Sequence, residues 1–213
     1  MDIVLASASE ERKRILKKII KKFEIFPNTA KIRIKPFKNI SQRVKSIAYF
    51  KALRICLKKP RKIIIAADTI VENKNKIFSK PKNKTEAKRF LKTFLGNKIK
   101  IYTSICLAYF NGESRPKTKC FCFSTTIKLK KLKENEIEKY ISKNKWKNKA
   151  GAIDINDRFF LTFLESKIDK TQQELIAGLP SKHLKEKLAK FKKLIKKSYF
   201  SWKFALDFDY SNP

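Results

Sequence analysis

The sequence predicts an α/β fold: one domain built on a mixed, twisted sheet flanked by helices. Three observations predict it. The chain has 213 residues, of which 42% are hydrophobic, enough to bury a substantial core. The run KIIIAA at 62–67 is continuous, β-branched and of strand length, as expected of a strand covered on both faces. Strand-like runs also alternate with helical periodicities along the chain, a pattern that favours helices packed on a sheet.

Residues 2–6, DIVLA, read as a short buried strand. Ser9 caps a helix from about Glu10 to Phe23, with Glu10 and Glu11 favourable to its dipole and Ile15, Leu16, Ile19, Ile20 and Phe23 on one face. Residues 24–40 are irregular or strand-like, broken by Pro27 and Pro36. Ser41 caps a second helix to about Leu57. After KIIIAA come Asp68, Thr69 and a hairpin, IVENKNKIF. A third helix spans about 84–95 and stops at Gly96. Residues 99–110 and 119–132 read as two long strands around Asn111-Gly112. Residues 134–143 are helical, 150–155 and 159–168 strand-like, and a last helix runs from about Ser181 to Lys197. The domain is therefore drawn as 1–197, followed by an aromatic tail at 198–213.

The net charge of +34 suggests a polyanion. The bases are, however, spread along the chain, and only nine of the 53 are Arg, the residue suited to bidentate phosphate or base recognition. We read the charge as a solvated surface, with weak, salt-sensitive, non-specific adhesion to nucleic acid expected. No apolar run approaches the roughly 20 residues of a membrane helix, and the N-terminus lacks a signal-peptide pattern, so a cytoplasmic protein is expected. Cys56, Cys106, Cys120 and Cys122 form no Cys-x-x-Cys, and His183 is the only histidine. Zinc sites of the usual spacing and His-based triads are excluded, and the thiols are expected to be free.

Chemistry is sought at the carboxyl ends of strands, where ligands of open α/β sheets bind. After the first strand come Ser7, Ser9 and a helix N-terminus bearing Arg12, a combination of hydroxyls, N–H groups and a cation suited to phosphate. After KIIIAA comes Asp68, a carboxylate able to hold a divalent ion or take a proton from water.

The order of short segments sharpens this reading. LASAS is followed by Lys51-Ala52, AADTIV, Ser79-Lys80-Pro81, TEA, YTS, KAGAIDIN and GLP. Over about residues 2–190 this succession resembles the Maf (septum formation inhibitor) family of nucleoside triphosphate pyrophosphatases. The resemblance implies a Maf/ITPase-like sheet in two lobes around a central cleft. It implies a nucleotide diphosphatase that hydrolyses a nucleoside triphosphate to its monophosphate and pyrophosphate. Asp68 would be the catalytic carboxylate and a ligand of Mg²⁺ or Mn²⁺. Ser7, Arg12, Lys51 and Lys80 match the positions that hold substrate. The form ADT, with Thr69 after Asp68, resembles the branch acting on dTTP and UTP. Relatives also suggest a homodimer.

The sequence departs from the family pattern at several places, among them the absence of a clear counterpart, among residues 28–40, to an acidic residue expected upstream of the second helix. Glu10 and Glu11 stand where Pro and Arg are usual. Asn156 replaces a Gln, keeping the amide on a side chain one methylene shorter. A glycine-rich stretch before GLP is replaced by DKTQQELIA. Glu11 and Asn156, with Thr69 of the ADT form, are the expected specificity positions. Glu11 and the lost glycines raise the alternative of a degenerate protein that binds nucleotide or nucleic acid without turnover.

Overall fold

The β-branched residues at 63–65 leave no polar face, so the strand they begin must be covered on both sides. The computed structural model describes residues 1–28, 32, 39–113 and 115–206, and for 197–206 the backbone alone. The run opens β3 (Ile63–Asn73), at the centre of a six-stranded mixed sheet. β1 (Ile3–Leu5) lies parallel to β3 on one side and to β2 (Glu24–Ile25) on the other. β5 (Lys98–Tyr109) runs antiparallel to β3, and β6 (Lys117–Lys128) antiparallel to β5. β4 (Lys76–Phe78) folds back on the far end of β3 through Lys74 and Asn75, both at positive φ, as a tight hairpin turn requires.

Alternate residues of β3 enter different cores. Ile63, Ile65 and Ala67 pack with Ile15 and Leu16 of α1 (Glu10–Lys17) and Leu184, Leu188, Phe191 and Ile195 of α7 (Ser181–Leu206). Ile64 and Ala66 pack with Ala48, Ala52 and Ile55 of α2 (Ile40–Lys58) on the other face. Beyond Thr69 the strand enters a third core. There Val71 meets α3 (Lys84–Phe94), α4 (Glu134–Ser142), α5 (Arg158–Leu161) and α6 (Lys170–Ala177). The expected two lobes are these: one around the first half of β3, one around its second half. The sheet changes lobe at Asp68–Thr69 on β3 and at Tyr102–Ser104 on β5.

Several expectations are corrected. The first helix ends at Lys17, because the N–H groups of Lys18, Ile19 and Ile20 turn back onto Ile15 and Leu16. Residues 150–155 and 159–168 are not strands. Gly151 and Ala152 both adopt φ 62°, winding 150–152 into a tight 3-10 turn, and Asp157 caps α5 by accepting from Phe160 N at 2.9 Å. α6, unforeseen, carries a reciprocal Asp169–Gln172 capping box. α2 is capped by Asn39, and α7 runs into the aromatic tail as far as Leu206. Pro36 and residues 207–213, part of the readings of 24–40 and of the tail, lie outside the described residues.

Cys106 and Cys120 are directly opposed across β5 and β6, with Cα atoms 4.0 Å apart, and are joined as a disulfide. This corrects the expectation of free thiols, which holds for Cys56 and Cys122. Among the described residues no helix is long and apolar enough to cross a membrane.

Candidate functional site

The seam between the lobes collects polar side chains because neither core claims it. Asp68 sits there with its side chain 16% exposed. The inward stripe of α2 docks that helix on the sheet and brings Lys51 Nζ to 2.5 Å from Asp68 Oδ1. Among the described residues the second carboxylate oxygen has no partner.

Arg12 enters from the first turn of α1, which begins where Ser9 Oγ accepts from Arg12 N at 3.5 Å. Its guanidinium donates to Gly178 O at 3.0 Å, Ala67 O at 2.8 Å, Ser7 Oγ at 3.4 Å and Thr69 Oγ1 at 3.2 Å. Four of its five N–H groups are thereby engaged, so Arg12 ties α1, β3 and the α6–α7 turn together and leaves one donor for a ligand. Burial lowers its pKa, against the opposite pull of Asp68. A guanidinium nevertheless stays charged in proteins.

The hydroxyl bonds that continue from Arg12 have a direction. Thr103 Oγ1 donates to Leu175 O at 2.8 Å, so its single proton is spent. The 3.0 Å contact between Thr69 and Thr103 is then a donation from Thr69, whose oxygen accepts from Arg12. The Thr69 hydroxyl is engaged as donor and as acceptor within the protein.

Lys80 follows β4 in the irregular link to α3; the residue as a whole is exposed, but its ammonium reaches the partly desolvated seam. Gly151 N donates to Ser79 O at 2.9 Å, which brings the 149–151 turn beside it. Gly151 has to be glycine here: a Cβ would lie 2.9 Å from Val71 Cγ2 at φ 62°. The pKa of Lys80 is lowered, chiefly by burial and then by the nearby charges of Arg12, Lys51 and Lys149, while Asp68 opposes the shift. Arg12, Lys51 and Lys80 thus gather around one carboxylate, an arrangement suited to a polyanion carrying its own charge into the seam.

Glu11 and Asn156 do not touch Asp68; they stand on a rim built around Lys149. Glu11 lies 2.9 Å from Arg14 and 3.8 Å from Lys149. Lys149 lies 3.5 Å from Asp154, whose Oδ1 accepts from Asn156 N at 3.2 Å. Asn156 Oδ1 accepts from Arg14 at 2.8 Å, which closes a ring. Two acids and two bases balance in it, so Glu11 is neutralised rather than left facing an anion.

The structure therefore brings Ser7, Arg12, Lys51, Asp68, Thr69 and Lys80 together and sets Glu11 and Asn156 at the edge. Sequence reasoning used Lys149 and Gly178 only as motif letters and missed Arg14, Thr103 and Asp154 as members of the site. Thr103 in YTS and Asp154 in KAGAIDIN also sat within quoted segments. Arg14 gave no signal beyond being one more base on a helix.

A family model described as Maf-like protein matches residues 2–191. A Clostridium perfringens protein named dTTP/UTP pyrophosphatase is 35% identical over 158 residues, 73% of this chain and 80% of its own length. A Clostridium botulinum protein of the same name is 36% identical over 161 residues, covering 74% and 81%. One from Lacticaseibacillus casei is 32% identical over 155 residues, covering 73% and 82%. Among solved structures, the Staphylococcus aureus Ham1 protein aligns with a TM-score of 0.43 and 16% identity, over 61% of this chain and 72% of that one.

Proposed function

The chain belongs to the Maf family, and from that premise we propose that it hydrolyses nucleoside triphosphates, dTTP and UTP foremost, to the monophosphate and pyrophosphate. The observation that carries the reading is the single carboxylate of Asp68 set among Arg12, Lys51 and Lys80. Such a site has cations for a triphosphate and one group able to take a proton from water. Glu11, which raised the binding-only alternative, is neutralised by Arg14 and Lys149.

In this mechanism Lys51 fixes one oxygen of Asp68 and leaves the other for the attacking water. Water adds to the α-phosphorus, its proton passes to Asp68, and the bond from the α-phosphorus to the bridging oxygen breaks. Lys80 holds the departing pyrophosphate and balances the charge that grows on it. Ser7 and the free N–H of Arg12 add donors to the phosphate chain.

A divalent cation belongs to the same proposal. Among the described residues no group of three or more His, Cys, Asp or Glu could hold an ion by itself. Asp68 is one hard-oxygen ligand, and Mg²⁺ is commonly held by one or two carboxylates with substrate phosphates and water. That donor set fits Mg²⁺ or Mn²⁺ arriving with the nucleotide, held by Asp68 on the protein side. When bound, the ion supplies charge neutralisation on phosphate oxygens and a more acidic water.

The test is product analysis on a nucleotide panel. Pyrophosphate and monophosphate should appear in equal amounts from dTTP and UTP, stop with EDTA and return with Mg²⁺ or Mn²⁺. Release of orthophosphate, or saturable binding with no turnover, would defeat the reading.

Lys80 gives a pH prediction. Its pKa lies below the ordinary 10.5, so the free enzyme loses this cation at a lower pH than an ordinary lysine would. A bound triphosphate favours the charged form and moves the loss upward. The alkaline limb of kcat/KM should therefore lie at lower pH than that of kcat, and Lys80→Arg should bring the limbs together. Coincident limbs in the unaltered protein would contradict this.

A further inference from the structure

We propose that Glu174, a buried acid of α6, positions Arg12 for substrate by holding the turn at 178–181. The inference rests on the reading that the seam receives a nucleoside triphosphate. Arg12 Nε donates to Gly178 O at 3.0 Å, so this turn aims the guanidinium. Pro180 has no N–H, which leaves the turn three backbone donors, on Gly178, Leu179 and Ser181. All three reach Glu174. Gly178 N and Leu179 N donate to its carbonyl oxygen at 3.0 Å, and Ser181 N donates to its carboxylate Oε2 at 2.9 Å. The Ser181 hydroxyl donates to the same carboxylate oxygen. Glu174 thus holds one end of the turn through its backbone and the other through its side chain. Leu175, the next residue, is tied to the sheet: its carbonyl oxygen accepts from Thr103 Oγ1 at 2.8 Å.

The other carboxylate oxygen, Oε1, is buried and has no partner among the described residues. Leaving a buried oxygen unpaired is costly, and the hold on the turn and on the start of α7 offsets that cost. No slack separates the turn from Arg12. A Cβ at Gly178 would lie 2.9 Å from both Nε and Nη2 of Arg12, so the turn backs directly against the guanidinium. If the turn shifts, Gly178 O shifts with it, and the guanidinium must follow or lose that bond. Either outcome displaces the one N–H that Arg12 keeps for phosphate. Glu174 lies in DKTQQELIA, where the chain departs from the family pattern, and that segment brings its own anchor for the turn. Glu174 acts through Arg12 and is a positioning residue.

The test is a double-mutant cycle on kcat and KM for UTP, read beside a thermal melt. Glu174→Met keeps the length of the side chain and removes its acceptors. It should raise KM roughly tenfold, the scale of one hydrogen bond to a charged group, with kcat changed by less than about threefold. Glu174→Gln keeps an amide oxygen for Ser181 and should recover most of the loss. In an Arg12→Lys background no guanidinium remains to be aimed, and Glu174→Met should change KM by less than about twofold. If Glu174→Met does not fold, Ser181→Ala, which removes the hydroxyl bond alone, runs the same cycle at smaller amplitude. Asp169→Ala breaks the cap at the opposite end of α6 and should lower the thermal midpoint while leaving KM unmoved. Equal fold-changes in the two Arg12 backgrounds, or a rise in KM from Asp169→Ala as large as that from Glu174→Met, would overturn the inference. If nucleotide binds but no pyrophosphate is released, the pyrophosphatase reading falls alone, and the same cycle on Kd for α,β-imido UTP decides the role of Glu174. Absence of nucleotide binding overturns both.

Discussion

Asp68→Asn should lower kcat for pyrophosphate release by roughly 10³-fold, the middle of the range for losing a general base. The substitution keeps shape and volume, and the amide oxygen still accepts from Lys51, so the seam stays filled. What is lost is the negative charge, and with it the proton acceptor and the hard-oxygen ligand. KM should hold or fall, because a carboxylate that faced the triphosphate has gone while the surrounding cations remain. A collapse in kcat without a rise in KM separates a reacting group from a substrate-holding one. Steady-state kinetics beside a thermal melt of each protein make the measurement. A rate within tenfold of the unaltered protein would reduce Asp68 to a partner that positions Lys51.

Gly178→Ala is expected to be nearly as damaging, although Gly178 carries no functional side chain. The residue ends α6 at φ 97°, a conformation that costs an L-residue of order 1–3 kcal/mol. An added Cβ would also lie 2.8 Å from Thr69 Oγ1 and 2.9 Å from both Nε and Nη2 of Arg12. None of these atoms is a free end: Arg12 is tied to four oxygens and Thr69 to Thr103. The methyl group must therefore push Arg12 off Ala67 O and Ser7, beside Asp68. We expect kcat/KM to fall by about 10²-fold, the cost of a displacement of about 1 Å near a reacting centre, with a lower thermal midpoint. Equal damage from Gly112→Ala would argue against this local cause, because nothing lies within 4 Å of a Cβ there.

β3 was legible because its apolar run had no polar face to mislead, and α3 because Ala87, Phe90, Leu91 and Phe94 repeat at helical spacing. Asp68, Lys51 and Lys80 were legible through the order of short motifs. Residues 150–168 were misread because Ile153, Ile155, Phe160 and Phe163 look like strand residues, while left-handed backbone at Gly151 and Ala152 and the Asp157 cap decide their path. Local periodicity does not report a conformation set by one glycine and one cap. Arg14 and Asn156 are 142 positions apart, so no pattern in a single sequence joins them. The Cys106–Cys120 pair likewise depends on the exact β5–β6 register, which the 110–116 connection left open.

The seam between the lobes is crossed by ten consecutive β3–β5 pairs, from Ile63 opposite Tyr109 to Glu72 opposite Lys100. Asp68 therefore stands on a floor with no hinge. The two lobes share a continuous ladder, and a jaw-like closure would have to shear backbone hydrogen bonds on both sides of Asp68. The geometry around Asp68 is preset, and freedom to move is left to long side chains above the floor, Lys80 among them. Such an enzyme spends little free energy on reshaping its scaffold.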